Sequence, residues 1–205
     1  MKRNRLMGTS LIVTTLLVGT CRAYLDLMPL YNELAIVPAD PMTALYEVMA
    51  ITPANFSVTR VGPQDITAYS EFGRNKSTNF TLDLYHSEPF EDQPFAKWEM
   101  VFPVSGEPNC FSKFLKQHPN GGMHHVVAWF RNESLSYWER HAKLIEAGAT
   151  LECYIETGHG ASYTGFYSVG GEGKHGGGGF LLEIYELVDP ENFPKPYARI
   201  INQRG

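Results

Sequence analysis

The residues of this chain best suited to chemistry are carboxylates and a histidine that fall where strands should bury them. In Phe180-Leu181-Leu182-Glu183-Ile184-Tyr185-Glu186-Leu187, successive side chains take opposite faces of a strand. Packing Leu182 and Ile184 under a helix therefore aims Glu183 and Tyr185 at the concave face. Glu99 repeats this arrangement in Trp98-Glu99-Met100-Val101-Phe102, and His125 shares a side with Val127 and Trp129 in His124-His125-Val126-Val127-Ala128-Trp129-Phe130. A carboxylate among apolar neighbours stays ionised only beside a partner, and a divalent cation is one such partner. The three cysteines, at 21, 110 and 153, lack the paired spacing of a zinc ribbon, so any metal must use His and carboxylates.

These groups sit at matching places in two halves. Tyr31-Asn32-Glu33-Leu34-Ala35-Ile36-Val37 aligns with His124 to Phe130, which sets Asn32 opposite His125. Glu99 follows Asn32 by 67 residues and Glu183 follows His125 by 58. In the first half a strand precedes a helix capped by Asp40 and opened by Pro41, with Met42, Leu45 and Met49 at helical spacing. Four strand-like runs follow, Phe56 to Val61, Ile66 to Phe72, Phe80 to Tyr85 and Lys97 to Phe102, one of which is left over as a loop.

Ser105 to Gly122 reads as a polar hinge with room for one short helix at Phe111 to Lys116. In the second half Asn132 is placed to cap a helix whose Leu135, Trp138, Ala142 and Ile145 line one face until Gly148. Strands follow at Thr150 to Ile155, Tyr163 to Val169 and Phe180 to Leu187. Strand, helix and three strands thus occur twice, which predicts an α+β fold of two βαβββ modules forming one pseudo-symmetric domain. The modules run over about 27–104 and 122–188, within a domain of 24–195 followed by a C-terminal tail at 196–205.

At 205 residues, 43% hydrophobic and 19% charged, the chain can bury a sizeable core, and a formal charge of −5 argues against an electrostatic nucleic-acid binder. Lys2, Arg3 and Arg5 precede an apolar stretch from Leu6 to Gly19, and Cys21-Arg22-Ala23 offers a cleavage site, so residues 1–23 read as a secretory signal peptide. The stretch falls short of the roughly 20 apolar residues of a stable membrane span. Sequons at Asn55, Asn75, Asn79 and Asn132 favour a secreted glycoprotein; a cytoplasmic protein is the alternative. Export would allow Cys110 and Cys153 to pair, but Cys153 alternates with Leu151 and Ile155 on a buried strand face, where a free thiol is expected. His124 faces away from His125 and reads as structural, and His159 as a turn residue. Gly171-Glu172-Gly173-Lys174-His175-Gly176 has the letters of a dinucleotide fingerprint, but a strand follows it, so it reads as a loop at the rim of the site.

Gly121-Gly122-Met123-His124-His125-Val126-Val127-Ala128 resembles the opening of the second module in methylmalonyl-CoA epimerases and other glyoxalase-like proteins of the vicinal oxygen chelate superfamily. Gly179 to Ile184 is similar to their closing strand, Leu34 to Asp40 to their opening strand and helix cap, and Trp98 to Val101 to the inner closing strand. The resemblance runs from about Leu27 to Val188. It implies a divalent metal ion (Zn, Ni, Co, Mn, Mg or Fe) held by Asn32, Glu99, His125 and Glu183. Asn32 departs from the His or Gln usual in the family, and recruiting Glu33 instead needs a one-residue slip of the strand.

The activity implied is metal-assisted proton transfer on a small oxygenated metabolite, by an isomerase, epimerase or lyase. Glu183 or Glu99 would be the catalytic base, and Tyr185, Trp129 and Lys174 would contact substrate. Asn32 also motivates the alternative of a non-catalytic small-molecule binding protein with a degenerate metal site. Whether the cleft is completed within one chain or in a homodimer stays open.

Overall fold

Asp40 ends the first strand and accepts a hydrogen bond from Met42 N at 3.1 Å, with Pro41 opening the helix behind it, as the residue pattern predicts. The computed structural model describes residues 31–89, 97–128, 134–168 and 181–203. The first module contains β1 (Tyr31–Pro38), α1 (Pro41–Ile51), β2 (Phe56–Val61), β5 (Phe80–Ser87) and β6 (Lys97–Gly106). The second contains β7 (Gly121–Ala128), α3 (Tyr137–Glu146), β8 (Thr150–Thr157), β9 (Ser162–Ser168) and β10 (Leu181–Leu187). Between them lies α2 (Cys110–Gln117), at the position expected for the short helix. Each module is a βαβββ unit, and antiparallel pairing of β1 with β7 joins the two.

The extra strand-like run leaves its own module. β3 (Ile66–Glu71) and the short β4 (Arg74–Asn75) form a hairpin that pairs with β8 of the second module. Pro196–Ile200, in the segment the sequence suggests as a tail, is β11 and pairs with β2. Among the described residues the eleven strands form one sheet in the order β11-β2-β5-β6-β1-β7-β10-β9-β8-β3-β4. In a flat sheet β2 and β3 would stand about 38 Å apart, eight strand spacings. Residues 62–65 between them can reach about 17 Å at most. The sheet therefore curls into a half-barrel, and its interior lies between the modules.

α1 covers one module with Leu45, Val48 and Met49 against Phe56, Val58 and Met100. α3 covers the other, but later and on a different face than the apolar spacing suggests. Ser136 and Glu139 form a capping box that starts the helix at Tyr137, and Tyr137, Arg140 and Leu144 are buried while Trp138 and Ile145 are exposed. Leu182 and Ile184 pack in the same cluster as Tyr137 and Leu144, as the alternation in β10 requires. Gly121 opens β7 at φ +72°, where a Cβ would stand 2.6 Å from Val37 O, so the close approach of β1 to β7 needs glycine there.

Cys110 and Cys153 form a disulfide, with Cα atoms 6.4 Å apart, in place of the free buried thiol expected from the strand pattern. The alternation does bury Cys153, but it also aims that side chain at the first turn of α2. A second tie holds α2 to β3. Tyr69 Oη and Lys113 Nζ both donate to the Glu71 carboxylate, and Tyr69 Oη accepts from Cys110 N at 2.8 Å. Burial alone would raise the Glu71 carboxyl, but the bonds from Lys113 and Tyr69 hold it below the ordinary range. Its folded value being the lower one, the tie stabilises the fold above the unfolded value of about 4.3 and loses that contribution as pH falls. Thermal melts of Glu71→Gln should therefore show a deficit of about 4 °C at pH 7 that shrinks below pH 4.5. A deficit independent of pH would contradict this assignment.

Candidate metal centre

The centre is built from the strands at the middle of the sheet. β1 pairs Tyr31 with Ala128 and then Glu33 with Val127, so Asn32 is an extra residue in β1, a β-bulge. From Glu33 onward the odd-numbered residues take the concave side. Ala35 and Val37 are fully buried there, while Leu34 and Ile36 pack with the helix-covered clusters. The bulge thus supplies the one-residue slip that recruits Glu33. Glu33 lines the interior cavity together with His86, Glu99, Glu183 and Tyr185. The side chain of Asn32, and Trp129, Lys174, Asn132 and residues 1–23 altogether, lie outside the described residues.

β6 supplies Glu99, which pairs across the ladder with His86 of β5, and β10 supplies Glu183, which lies beside Val127 of β7. His125 is fully buried, and its Nε2 lies 2.9 Å from Glu99 Oε2 and 2.8 Å from Glu183 Oε2. One ring N–H can serve only one of these oxygens, and Glu183 Oε2 and Glu33 Oε1 are buried without a hydrogen-bond donor. Single ligand atoms of Glu99, His125 and Glu183 all fall within 4.8 Å of one another. The Glu99 oxygen and the orphaned Glu183 oxygen, converging on one imidazole nitrogen, are a donor set that fits a divalent cation.

Outer partners orient these groups. His86 Nε2 lies 3.3 Å from Glu99 Oε1. His125 Nδ1 lies 2.9 Å from His124 Nδ1, which directs Nε2 of His125 at the carboxylates. His124 is itself buried against Phe111, Phe114 and Phe166, which gives it the structural place its strand position suggests.

The electrostatics follow from the crowding of three carboxylates. Burial alone would push the His125 imidazolium down, but Glu183 and Glu99 outweigh it and lift the group to about 10. His86 rises to about 9 against its own desolvation because of Glu99. Desolvation and the charge of Glu99 raise the Glu33 carboxyl to about 7, and desolvation raises Glu183, whereas His125 and His86 hold Glu99 well below the usual range despite its burial. Cationic partners are thus required to keep this cluster ionised.

Of the residues singled out in the sequence, the structure brings Glu99, His125, Glu183 and Tyr185 together. His86 was missed, although the alternation Leu82, Leu84, His86 along β5 carries it to the same face as Glu99. The first module contributes Glu33 and Glu99 and the second His125 and Glu183, so one chain assembles the whole cluster. His159 adopts φ +52° in the turn between β8 and β9, as expected. Among the described residues no helix is long and apolar enough to cross a membrane.

No protein-family model matches the chain, and no curated protein does. Among solved structures it is similar to the methylmalonyl-CoA epimerase of Mycobacterium tuberculosis, at 16% identity over 76% of this chain and 86% of that one, with a TM-score of 0.48. It is also similar to a hypothetical protein of Bacillus halodurans, at 17% identity over 76% and 92% with a TM-score of 0.48. A further methylmalonyl-CoA epimerase shows 17% identity over 83% and 99%, with a TM-score of 0.43. Two βαβββ modules joined through their first strands around one cleft give this chain the α+β, pseudo-symmetric fold that its residue pattern predicts.

Proposed function

We propose that this chain is a metal-dependent enzyme that moves a proton on a small oxygenated metabolite, as an isomerase, epimerase or lyase. The observation that carries the reading is the convergence of Glu99 Oε2 and the orphaned Glu183 Oε2 on a buried imidazole, in a cavity of about 300 Å³ that is also lined by Glu33, whose Oε1 is orphaned. Glu99, His125 and Glu183 would hold the ion. A divalent cation there supplies Lewis-acid polarisation of a substrate oxygen. Glu33 Oε1, free of other bonds, is placed to take and return the proton, and the apolar walls formed by Leu84, Val101 and Phe166 exclude water from the exchange. The binding-only alternative rested on Asn32, and the bulge that brings Glu33 into the cavity removes its motive.

The test is exchange of substrate carbon-bound hydrogen with deuterated water, followed by NMR over a panel of α-oxygenated carbonyl compounds with the metal-loaded protein. Glu33→Gln should lose about 10²- to 10⁴-fold in rate while keeping its metal, and Asn32→Ala should stay within a few-fold of wild type. Full activity in Glu33→Gln, or its loss in Asn32→Ala, would contradict the assignment.

Export belongs to the same proposal. It is supported by the basic and apolar amino terminus, by the Cys110–Cys153 disulfide, which suits an oxidising compartment, and by exposed sequons at Asn75 and Asn79.

A further inference from the structure

The cavity that holds the acidic cluster has a second polar station. β9 pairs Phe166 with Glu183, Thr164 with Tyr185 and Ser162 with Leu187, so Ser162 stands four residues beyond the level of the cluster, about 13 Å along the strand. Across the ladder Ser162 faces Thr157 of β8. Both side chains are buried and line the cavity, and their hydroxyl oxygens are 2.6 Å apart. Two hydroxyls bonded to each other use one of their two protons, leaving one donor and several lone pairs to offer a third group. The other walls of the cavity are chiefly apolar, with Val127, Ile155 and Phe166 on the second module and Leu84 and Val101 on the first. Phe193 lines the cavity from the segment that joins β10 to β11, and Asn192 of the same segment runs against Gly158, next to Thr157.

We propose that Thr157 and Ser162 are specificity-determining residues, and that the cavity takes a two-ended molecule. Such a molecule has oxygens at one end for the metal centre, an apolar body, and a hydroxyl or carbonyl at the far end for the Thr157–Ser162 pair. The assignment rests on the metal reading above for its first end only. About 8 Å remains between the two end oxygens once about 2 Å to a metal and about 2.8 Å to a hydroxyl are allowed, which suits about five carbon–carbon bonds with a carbon–oxygen bond at either end. A cavity of about 300 Å³ encloses a body of this size.

Isothermal titration of the Mn²⁺-loaded full chain with 2-hydroxyheptanoate and 2,7-dihydroxyheptanoate tests this directly. The diol should bind about three- to tenfold tighter, the worth of one net hydrogen bond. In Thr157→Val/Ser162→Ala that ratio should fall to about one with the melting temperature, metal content and affinity for 2-hydroxyheptanoate unchanged; Ser162→Ala alone serves if the double variant fails to fold. Equal affinities in the wild type, an advantage that survives in the variant, or no binding of either compound would overturn the proposal. Glu183→Gln separates the two readings. Weakening of both compounds with a wild-type ratio near one sinks only the distal site, whereas a preserved ratio with undiminished affinity in Glu183→Gln sinks only the metal end.

Discussion

His125→Ala should fold yet bind divalent metal at least about 100-fold more weakly than the wild type, with activity falling in proportion. The imidazole contributes the one nitrogen on which Glu99 Oε2 and Glu183 Oε2 converge, at 2.9 and 2.8 Å. Without it two buried carboxylates face each other with no group between them, and they relieve their repulsion by taking up protons, the state least able to hold a cation. Loss of an outer partner of a metal site costs about 10- to 100-fold in affinity, and loss of a ligand should exceed it. His86→Ala supplies that comparison, because His86 touches the ligand set at Glu99 Oε1, 3.3 Å away, and should cost about tenfold. Competition titrations against a chromophoric chelator measure both. Equal affinities in wild type and His125→Ala would remove the imidazole from the ligand set.

The second large effect concerns the disulfide. Cys110 and Cys153 close a loop with a sequence separation of 43, and the chain-entropy account of such a cross-link gives about 4 kcal/mol of stability. Cys110→Ala/Cys153→Ala should therefore melt about 8–16 °C below the wild type at neutral pH. Reductant should bring the wild type to the same value and leave the variant unmoved. The effect reaches the site as well. Cys110 begins α2, its neighbour Phe111 lines the cavity, and Cys153 lies across from Phe166, which pairs with Glu183. Cys110 and Cys153 both titrating as free thiols in the untreated protein, with no difference in melting, would contradict the cross-link.

Much of this architecture is legible in the sequence because its signals are local and periodic. Alternation in Leu182-Glu183-Ile184 fixes which side of β10 is covered by α3, and Asp40-Pro41 marks the start of α1 from two residues. The three central ligand candidates, Glu99, His125 and Glu183, come from the same period-two reasoning. What fails is whatever depends on an interruption of the period. A single bulged residue at Asn32 reverses the faces of β1, so Glu33 occupies the place the pattern reserves for its neighbour. Long-range partnerships are silent for a different reason. Nothing in Ile66–Glu71 marks it as a strand of the opposite module, and the pairing of Cys110 with Cys153 appears only once the curl of the sheet brings α2 beside β8. The start of α3 is misplaced because apolar spacing alone picks Trp138 and Ile145, whereas the capping box at Ser136 and Glu139 decides which face turns inward.

The most direct test is anomalous diffraction from crystals grown with Mn²⁺ in excess. The account predicts one dominant peak among Glu99, His125 and Glu183, about 2.0–2.3 Å from His125 Nε2 and from an oxygen of each carboxylate. A cluster left without a peak at saturating metal, its oxygens instead bridged by protons and water, would contradict it.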